Sequence, residues 1–358
     1  MLSSKQKRTL EQQGYRLIGN HSAVKTCGWT KNMIRGKGGC YKLKFYGIMS
    51  NQCMQMTTSI SCANRCTFCW RDYKAPVSKE WKEEWNVDDP QFILENSKKA
   101  HHKLLKGFGG NKNPNPNTEP YEKSKTIKHV ALSLTGEPII YPKMNELIDK
   151  FNKDGISTFL VTNAQYPEQI RDLKPVTQLY ISLDAPNSEL LKKLDKPIFE
   201  DYWQRLNESL ESLSKKKHRT CIRLTLIKNF NILSPDAYAK LIKKGNPDFI
   251  EVKAYMSIGA SLKNFKFENM PNSKEVMDFS KQLIKFLPDY EIVSEHYESR
   301  VVMLAKKKFY FSDADGKSKW HTWIDFGKYN EMVNSSPNTV PETMKYLKKT
   351  PPMFVLKN

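Results

Sequence analysis

The chain has 358 residues, 39% of them hydrophobic and 11% aromatic, which is enough for a sizeable core and too apolar for a disordered chain. Lys and Arg number 58 against 38 Asp and Glu, a net charge of +20 that fits either a polyanionic partner or a solvated basic surface. No apolar run approaches the roughly 20 residues of a membrane-spanning helix, and no apolar stretch follows the basic N-terminus, so the expectation is a soluble, cytoplasmic monomer with no membrane partner.

Residues 1–52 carry ten basic side chains (Lys5, Lys7, Arg8, Arg16, Lys25, Lys31, Arg35, Lys37, Lys42, Lys44) and one acid, Glu11, or +9 of the total. Aromatic residues interleave with them (Trp29, Tyr41, Phe45, Tyr46). Clustered cations release counterions from a polyanion, and aromatic rings stack on bases, so this block favours nucleic acid. It forms the first of three expected units: a basic segment 1–52, a catalytic unit 53–288 and a C-terminal extension 289–358.

Six of the seven cysteines fall between residues 27 and 69. With no export signal, such clustering points to metal or redox chemistry before disulfides. The tight group is Cys62-Ala63-Asn64-Arg65-Cys66-Thr67-Phe68-Cys69. Three thiolates on a short loop can hold three irons of a four-iron cluster and leave the fourth open for a ligand. This C-x3-C-x2-C spacing, with an aromatic residue before the last cysteine, matches the radical S-adenosylmethionine superfamily. Zinc on Cys53, Cys62, Cys66 and Cys69 is the competing reading. Cys27, Cys40 and Cys53 are spaced 13 and 13 apart and look like a second open-iron triad, with His21 near enough to complete a zinc site instead. Cys221, in an apolar run, reads as a buried core thiol.

Strands and helices then alternate. Expected strands cover 54–60, 129–134, 156–162, 179–183, 221–227 and 249–255. Expected helices cover 89–106, 142–154, 167–173, 187–215, 235–244 and 274–286, several opened by Asp or Pro. Residues 108–124 read as one long loop without regular structure. Beyond 290, 291–294 and 301–304 look strand-like. The Trp320–Phe326 stretch is either core packing or a lid for nucleic acid, and His321 in it is more a structural group than a phosphate ligand.

Six successive βα units imply a parallel sheet curled into a partial (βα)6 barrel of the TIM-like, radical S-adenosylmethionine type, with a cysteine-bearing N-terminal extension and a C-terminal extension. Barrel active sites lie at the C-terminal strand ends. Polar groups recur there: Thr135, Gly136 and Glu137 after the second strand, Thr162 and Asn163 at the third, Ser182 and Asp184 at the fourth, Lys253 and Tyr255 at the sixth. Gly136 allows close backbone approach, Glu137 can accept from an ammonium, and Thr162, Asn163, Ser182 and Asp184 offer partners for a ribose and a carboxylate. These six are the expected S-adenosylmethionine contacts.

The residues resemble the archaeal-type tRNA-4-demethylwyosine synthases along nearly the whole chain. The resemblance rests on the paired 13-residue cysteine spacing and on Cys69-Trp70-Arg71-Asp72. It continues through Ser133–Pro138, Thr162-Asn163-Ala164, Lys253–Ser261 and Trp320–Phe326. It implies a radical lyase with two [4Fe–4S] clusters that act with S-adenosylmethionine. Its substrates would be N1-methylguanosine beside the anticodon of phenylalanine tRNA and pyruvate, two carbons of which close a third ring. It also implies that pyruvate is held by the second cluster or by Lys42, which matches the family's Schiff-base candidate. An external donor such as flavodoxin or ferredoxin would supply the electron. Two rivals remain: another radical RNA-modifying enzyme such as a methyltransferase, which has no reason to keep Cys27 and Cys40, and a zinc-stapled RNA-binding protein, which leaves the strand-end polar groups unexplained.

Overall fold

The computed structural model describes residues 2–71, 78–82, 85–109, 118–312, 316–335 and 340–356. In chain order, the strands of its main sheet are β1 (Arg16–Ile18), β2 (Ser22–Val24), β3 (Cys53–Thr57), β4 (His129–Leu132), β5 (Ser157–Thr162), β6 (Gln178–Ser182), β7 (Thr220–Leu226), β8 (Phe249–Ala254), β9 (Tyr290–His296) and β10 (Val301–Lys306). The helices are α1 (Ser4–Gln12), α2 (Gly28–Ile34), α3 (Tyr41–Tyr46), α4 (Pro90–Gly109), α5 (Thr118–Ser124), α6 (Met144–Lys153), α7 (Pro167–Asp172), α8 (Ser188–Asp195), α9 (Tyr202–Ser214), α10 (Pro235–Gly245), α11 (Ser273–Ile284) and α12 (Phe326–Ser335).

β3 to β8 pair in sequence order and all in parallel, the expected partial (βα)6 barrel. β2 and β1 extend one edge antiparallel, and β10 and β9 extend the other. Residues 1–52 therefore supply part of the sheet itself, beyond the charged segment that composition suggested.

Strand alternation divides the apolar residues between two cores. Leu179, Ile181, Ile222, Leu224, Ile250 and Val252 face outward onto the amphipathic helices and meet Leu147, Ile170, Leu210, Ile242 and Leu283. Their neighbours Phe159, Tyr180, Cys221 and Phe249 face inward, where α3 fills the interior with Tyr41, Phe45 and Tyr46. Truncating a buried ring such as Phe159 to Ala would cost about 3–5 kcal/mol. Cys221 is thus the buried core thiol expected.

The C-terminal extension clamps α3. Thr322 Oγ1 donates to the Phe45 carbonyl at 2.7 Å, and Trp323 Nε1 to the Lys44 carbonyl at 3.1 Å. Trp320 and Ile324 join the inner core, so this stretch is packing rather than lid. His321 stacks on Phe311 and pairs its Nδ1 with the Lys319 carbonyl.

Three expectations need correcting. The helix expected over 187–215 is two helices, because Lys196 turns left-handed (φ 43°) and Pro197 cannot continue the first. Part of the expected loop 108–124 is helical, as α5; residues 110–117 lie outside the described set. The strand expected over 54–60 ends at Thr57, releasing 58–71 to form the cysteine loop.

Candidate active site

The loop after β3 carries Cys62, Cys66 and Cys69, and it is pinned to the end of α8. Thr67 donates its N–H and its Oγ1 to the Leu194 carbonyl (2.7 and 3.0 Å), Arg65 N–H donates to Asp195 O, and Ile198 N–H donates to Ala63 O. On its other side the buried Arg71 donates to the carbonyls of Ile60 and Asn64. Asp72, the last residue of the tail, is outside the described set.

One cavity of about 170 Å³ is lined by all three cysteines together with Arg71, Gly136, Glu137, Thr162, Asn163 and Ser182. Five of the six expected cofactor contacts therefore share one space with the tight cysteine group. Asp184 stands elsewhere: it is buried behind this wall, with Oδ1 accepting from Thr225 N–H at 3.1 Å and burial raising its pKa to about 6. A larger cavity of about 550 Å³ lies against Trp81, Tyr141 and Phe199 and contains none of the cysteines.

The cavity wall is built for close approach and left unsatisfied. Gly136 has φ +67°, and a Cβ there would meet the Ser59 carbonyl oxygen at 2.0 Å. Glu137 Oε2 accepts from Asn163 N–H at 2.9 Å, whereas Oε1 is buried with no partner among the described residues, as is Ser61 Oγ. Burial lifts the Glu137 carboxyl to about 7, against the pull of the Asn163 N–H. Such orphaned atoms around three thiols fit a bound polar cofactor beside a cluster.

Burial pushes the Cys62 thiol up to about 11 and Cys66 well above its usual value, in both cases helped by neighbouring acidic groups. A metal centre is what draws protons from such thiols. Cys62 Sγ also accepts from Asn64 N–H and Asn163 Nδ2. Among the described residues no three His, Cys, Asp or Glu side chains converge on a point suited to a single ion. Thiolates at separate corners of a multi-iron cluster have no need to converge so tightly.

The second triad assembles from three elements: Cys27 caps α2, Cys40 caps α3 and Cys53 opens β3. Burial and then Cys40 raise the Cys27 thiol. Burial, again followed by Cys40, pushes Cys53 up to about 12, so the three stand together. Lys42 points into the barrel beside them. It is buried, with Nζ 4.5 Å from the Tyr180 ring centroid and 5.7 Å from that of Phe159. Burial and then Arg223 lower its pKa. His21 is not part of this group, because its ring pairs with the Thr58 carbonyl and with Asp88.

Sequence reasoning missed Arg223 and Glu251, paired at 3.3 Å inside the barrel. Their signal was a charged residue at an inward position of an otherwise apolar strand. Lys253, named only as a strand-end residue, is half-buried; its Nζ donates to the Ser299 carbonyl, and loss of solvent drops its pKa to about 8.

The parallel barrel and its cysteine loop define a radical S-adenosylmethionine protein. The Radical SAM superfamily model matches residues 56–242, and the chain belongs to that superfamily. The Wyosine base formation model matches 244–306. A structure of TYW1 with a lysine–pyruvate adduct bound superposes with a TM-score of 0.77 at 33% identity, covering 86% of this chain and 97% of that one. Archaeal TYW1 gives 0.69 at 30%, covering 86% and 98%. Within the superfamily, the chain belongs to the TYW1 family. The mouse S-adenosyl-L-methionine-dependent tRNA 4-demethylwyosine synthase TYW1 is 46% identical over 98% of this chain and 48% of its own length. The Saccharomyces cerevisiae synthase is 42% identical over 96% and 42%. The chain thus spans about half the length of these curated relatives. No helix among the described residues is long and apolar enough to cross a membrane.

Proposed function

We propose that this chain is a tRNA 4-demethylwyosine synthase that joins two carbons of pyruvate to N1-methylguanosine beside the anticodon of phenylalanine tRNA. The observation that carries this reading is a cavity lined by Cys62, Cys66 and Cys69 at the strand ends of a barrel whose interior holds buried Lys42, with Cys40 and Cys53 among the groups that act on it. A relative 33% identical over most of its length binds a lysine–pyruvate adduct.

Four-iron clusters on Cys62, Cys66 and Cys69 and on Cys27, Cys40 and Cys53 fit these donor sets, and the first would supply the electron that cleaves S-adenosylmethionine and so starts hydrogen abstraction from the N1-methyl group. Glu137, with one oxygen free, would receive the ammonium of the cofactor's methionine part, and Gly136 would let that part lie against the backbone. Thr162, Asn163 and Ser182, on the same cavity wall, would hold its ribose and carboxylate. Lys42 attacks the ketone carbon of pyruvate, forming an imine and releasing water. Its burial among Tyr180, Phe159 and Arg223 favours the neutral amine that this step needs. The exposed cations of α2 and its flank draw in the RNA, and the target base leaves its stack at a cost of a few kcal/mol.

Anaerobic turnover tests the proposal. Reconstituted, dithionite-reduced protein is given S-adenosylmethionine, labelled pyruvate and N1-methylguanosine-containing tRNA, and the digested RNA is resolved by mass spectrometry. A tricyclic nucleoside carrying two pyruvate carbons is expected. Methylation, or unchanged RNA with full cofactor cleavage, would refute this function.

A further inference from the structure

We infer that the Arg223 guanidinium is the carboxylate-binding group for the keto acid held at Lys42. This rests on the lysine reading above and adds to it the group that makes the site select an acid.

The register of the sheet gives the placement. Arg223 on β7 lies opposite Ser182 on β6 and Glu251 on β8, and two residues further Thr225 lies opposite Lys253. Ser182 lines the cysteine cavity, so Arg223 sits between that cavity and the interior of the barrel. Its guanidinium is 5.3 Å from the Tyr180 ring centroid, and Lys42 Nζ is 4.5 Å from the same ring. The two basic groups thus lie against one aromatic side chain, near enough for Arg223 to act on Lys42 electrostatically.

Hydrogen bonding points the same way. A guanidinium has five N–H donors. Arg223 Nε donates to Glu251 Oε2 at 3.3 Å, and Glu251 Oε1 is taken by the Tyr46 hydroxyl at 3.0 Å. Arg223 Nη2 is buried and has no partner among the described residues. A buried donor left unmade is costly, and here it belongs to the group best shaped to receive a carboxylate.

Charge is also left over. Arg223 and Lys253 are the cationic side chains around Glu251, which is completely buried, and Lys42 beside them is the neutral amine of the imine step. The two oxygens of Glu251 already serve Arg223 and Tyr46. Buried charge calls for a partner of opposite sign. The cysteine thiolates lie on the Lys42 side, and a substrate carboxylate at Nη2 supplies an anion on the other.

The test uses imine trapping on the full chain. Borohydride delivers hydride to the carbon–nitrogen double bond and leaves a stable secondary amine on the lysine. Labelled pyruvate is compared with labelled methyl pyruvate, which keeps the ketone and loses the charge. The concentration that half-saturates trapping is read for wild type, Arg223→Gln and Arg223→Lys. Losing a charged hydrogen-bond partner predicts a rise of about tenfold to a hundredfold for pyruvate in Arg223→Gln, with little change for the ester. Arg223→Lys keeps a cation against Glu251 but has no second fork to offer, so it also loses preference for the acid while the melting temperature stays near wild type. This second variant keeps the test decisive if the first fails to fold. Wild-type preference for pyruvate in a folded variant would overturn the assignment. Absence of label in wild type would overturn the lysine reading, and this inference with it.

Discussion

Gly136 and Ser59 approach so closely that a Cβ on the glycine would lie 2.0 Å from the serine carbonyl oxygen, with the Ile60 carbonyl oxygen at 2.8 Å. Both neighbours are backbone, so neither swings aside. Gly136 also holds φ +67°, which costs a residue with a Cβ roughly 1–2 kcal/mol. Gly136→Ala must therefore push the Thr135–Pro138 turn away from the cysteine loop. The expected outcome is a fall in S-adenosylmethionine affinity of at least about tenfold, equal to about 1.4 kcal/mol, by equilibrium dialysis of the reconstituted protein. Wild-type affinity would show that the turn does not contact the cofactor.

RNA binding should depend steeply on salt, through a subset of the N-terminal cations. Lys31, Arg35 and Lys37 are exposed. Lys25 is turned inward, with Nζ 4.7 Å from the Tyr15 ring centroid and 5.4 Å from that of Trp70. Neutralising Lys31, Arg35 and Lys37 together should flatten the slope of log affinity against log salt by about 0.7–0.9 for each phosphate that is no longer neutralised. Lys25→Gln should leave the slope unchanged. An unaltered slope in the triple variant would place the RNA on another face.

Acid should act through buried His218. Burial, with Lys216 nearby, drops its pKa to about 3, so it is neutral in the folded chain and binds a proton on unfolding at any pH between about 3 and 6.5. Its contribution is present above pH 6.5 and is lost as pH falls through that window. Glu137 and Asp184, raised by burial to about 7 and 6, bind protons in the folded state over part of the same range and offset the total. The difference between variant and wild type isolates the histidine. From pH 6.5 to 5, His218→Gln should gain about 2 kcal/mol relative to wild type in denaturant titrations. A pH-independent difference would mean that His218 takes up its proton as readily in the folded chain as in the unfolded one.

The parallel strands, the cysteine loop after the first of them and the five polar or glycine positions that share its cavity were legible because each follows from local pattern: apolar runs, fixed spacings and polar groups at strand ends. What escaped depends on contacts distant in sequence. The split at Lys196–Pro197 gives the Leu194 carbonyl to Thr67, and no periodicity within 187–215 announces a bond to a residue 127 positions away. β1 and β2 are three residues each, too short to show alternation, and they form because β3 offers an edge. Lys25 has the composition of a phosphate ligand, but Tyr15 and Trp70 lie beneath it. Arg223 was passed over because its strand reads as apolar, and only the inward register shows what it faces.

The proposed function needs a separate four-iron cluster on each cysteine triad, and metal content after anaerobic reconstitution tests this most directly. Wild type should hold about eight irons and eight acid-labile sulfides per chain. The Cys62→Ala, Cys66→Ala, Cys69→Ala triple variant and the Cys27→Ala, Cys40→Ala, Cys53→Ala triple variant should each hold about four. Only the second should still release 5′-deoxyadenosine from S-adenosylmethionine. One zinc per chain, or full iron in either triple variant, would contradict the account.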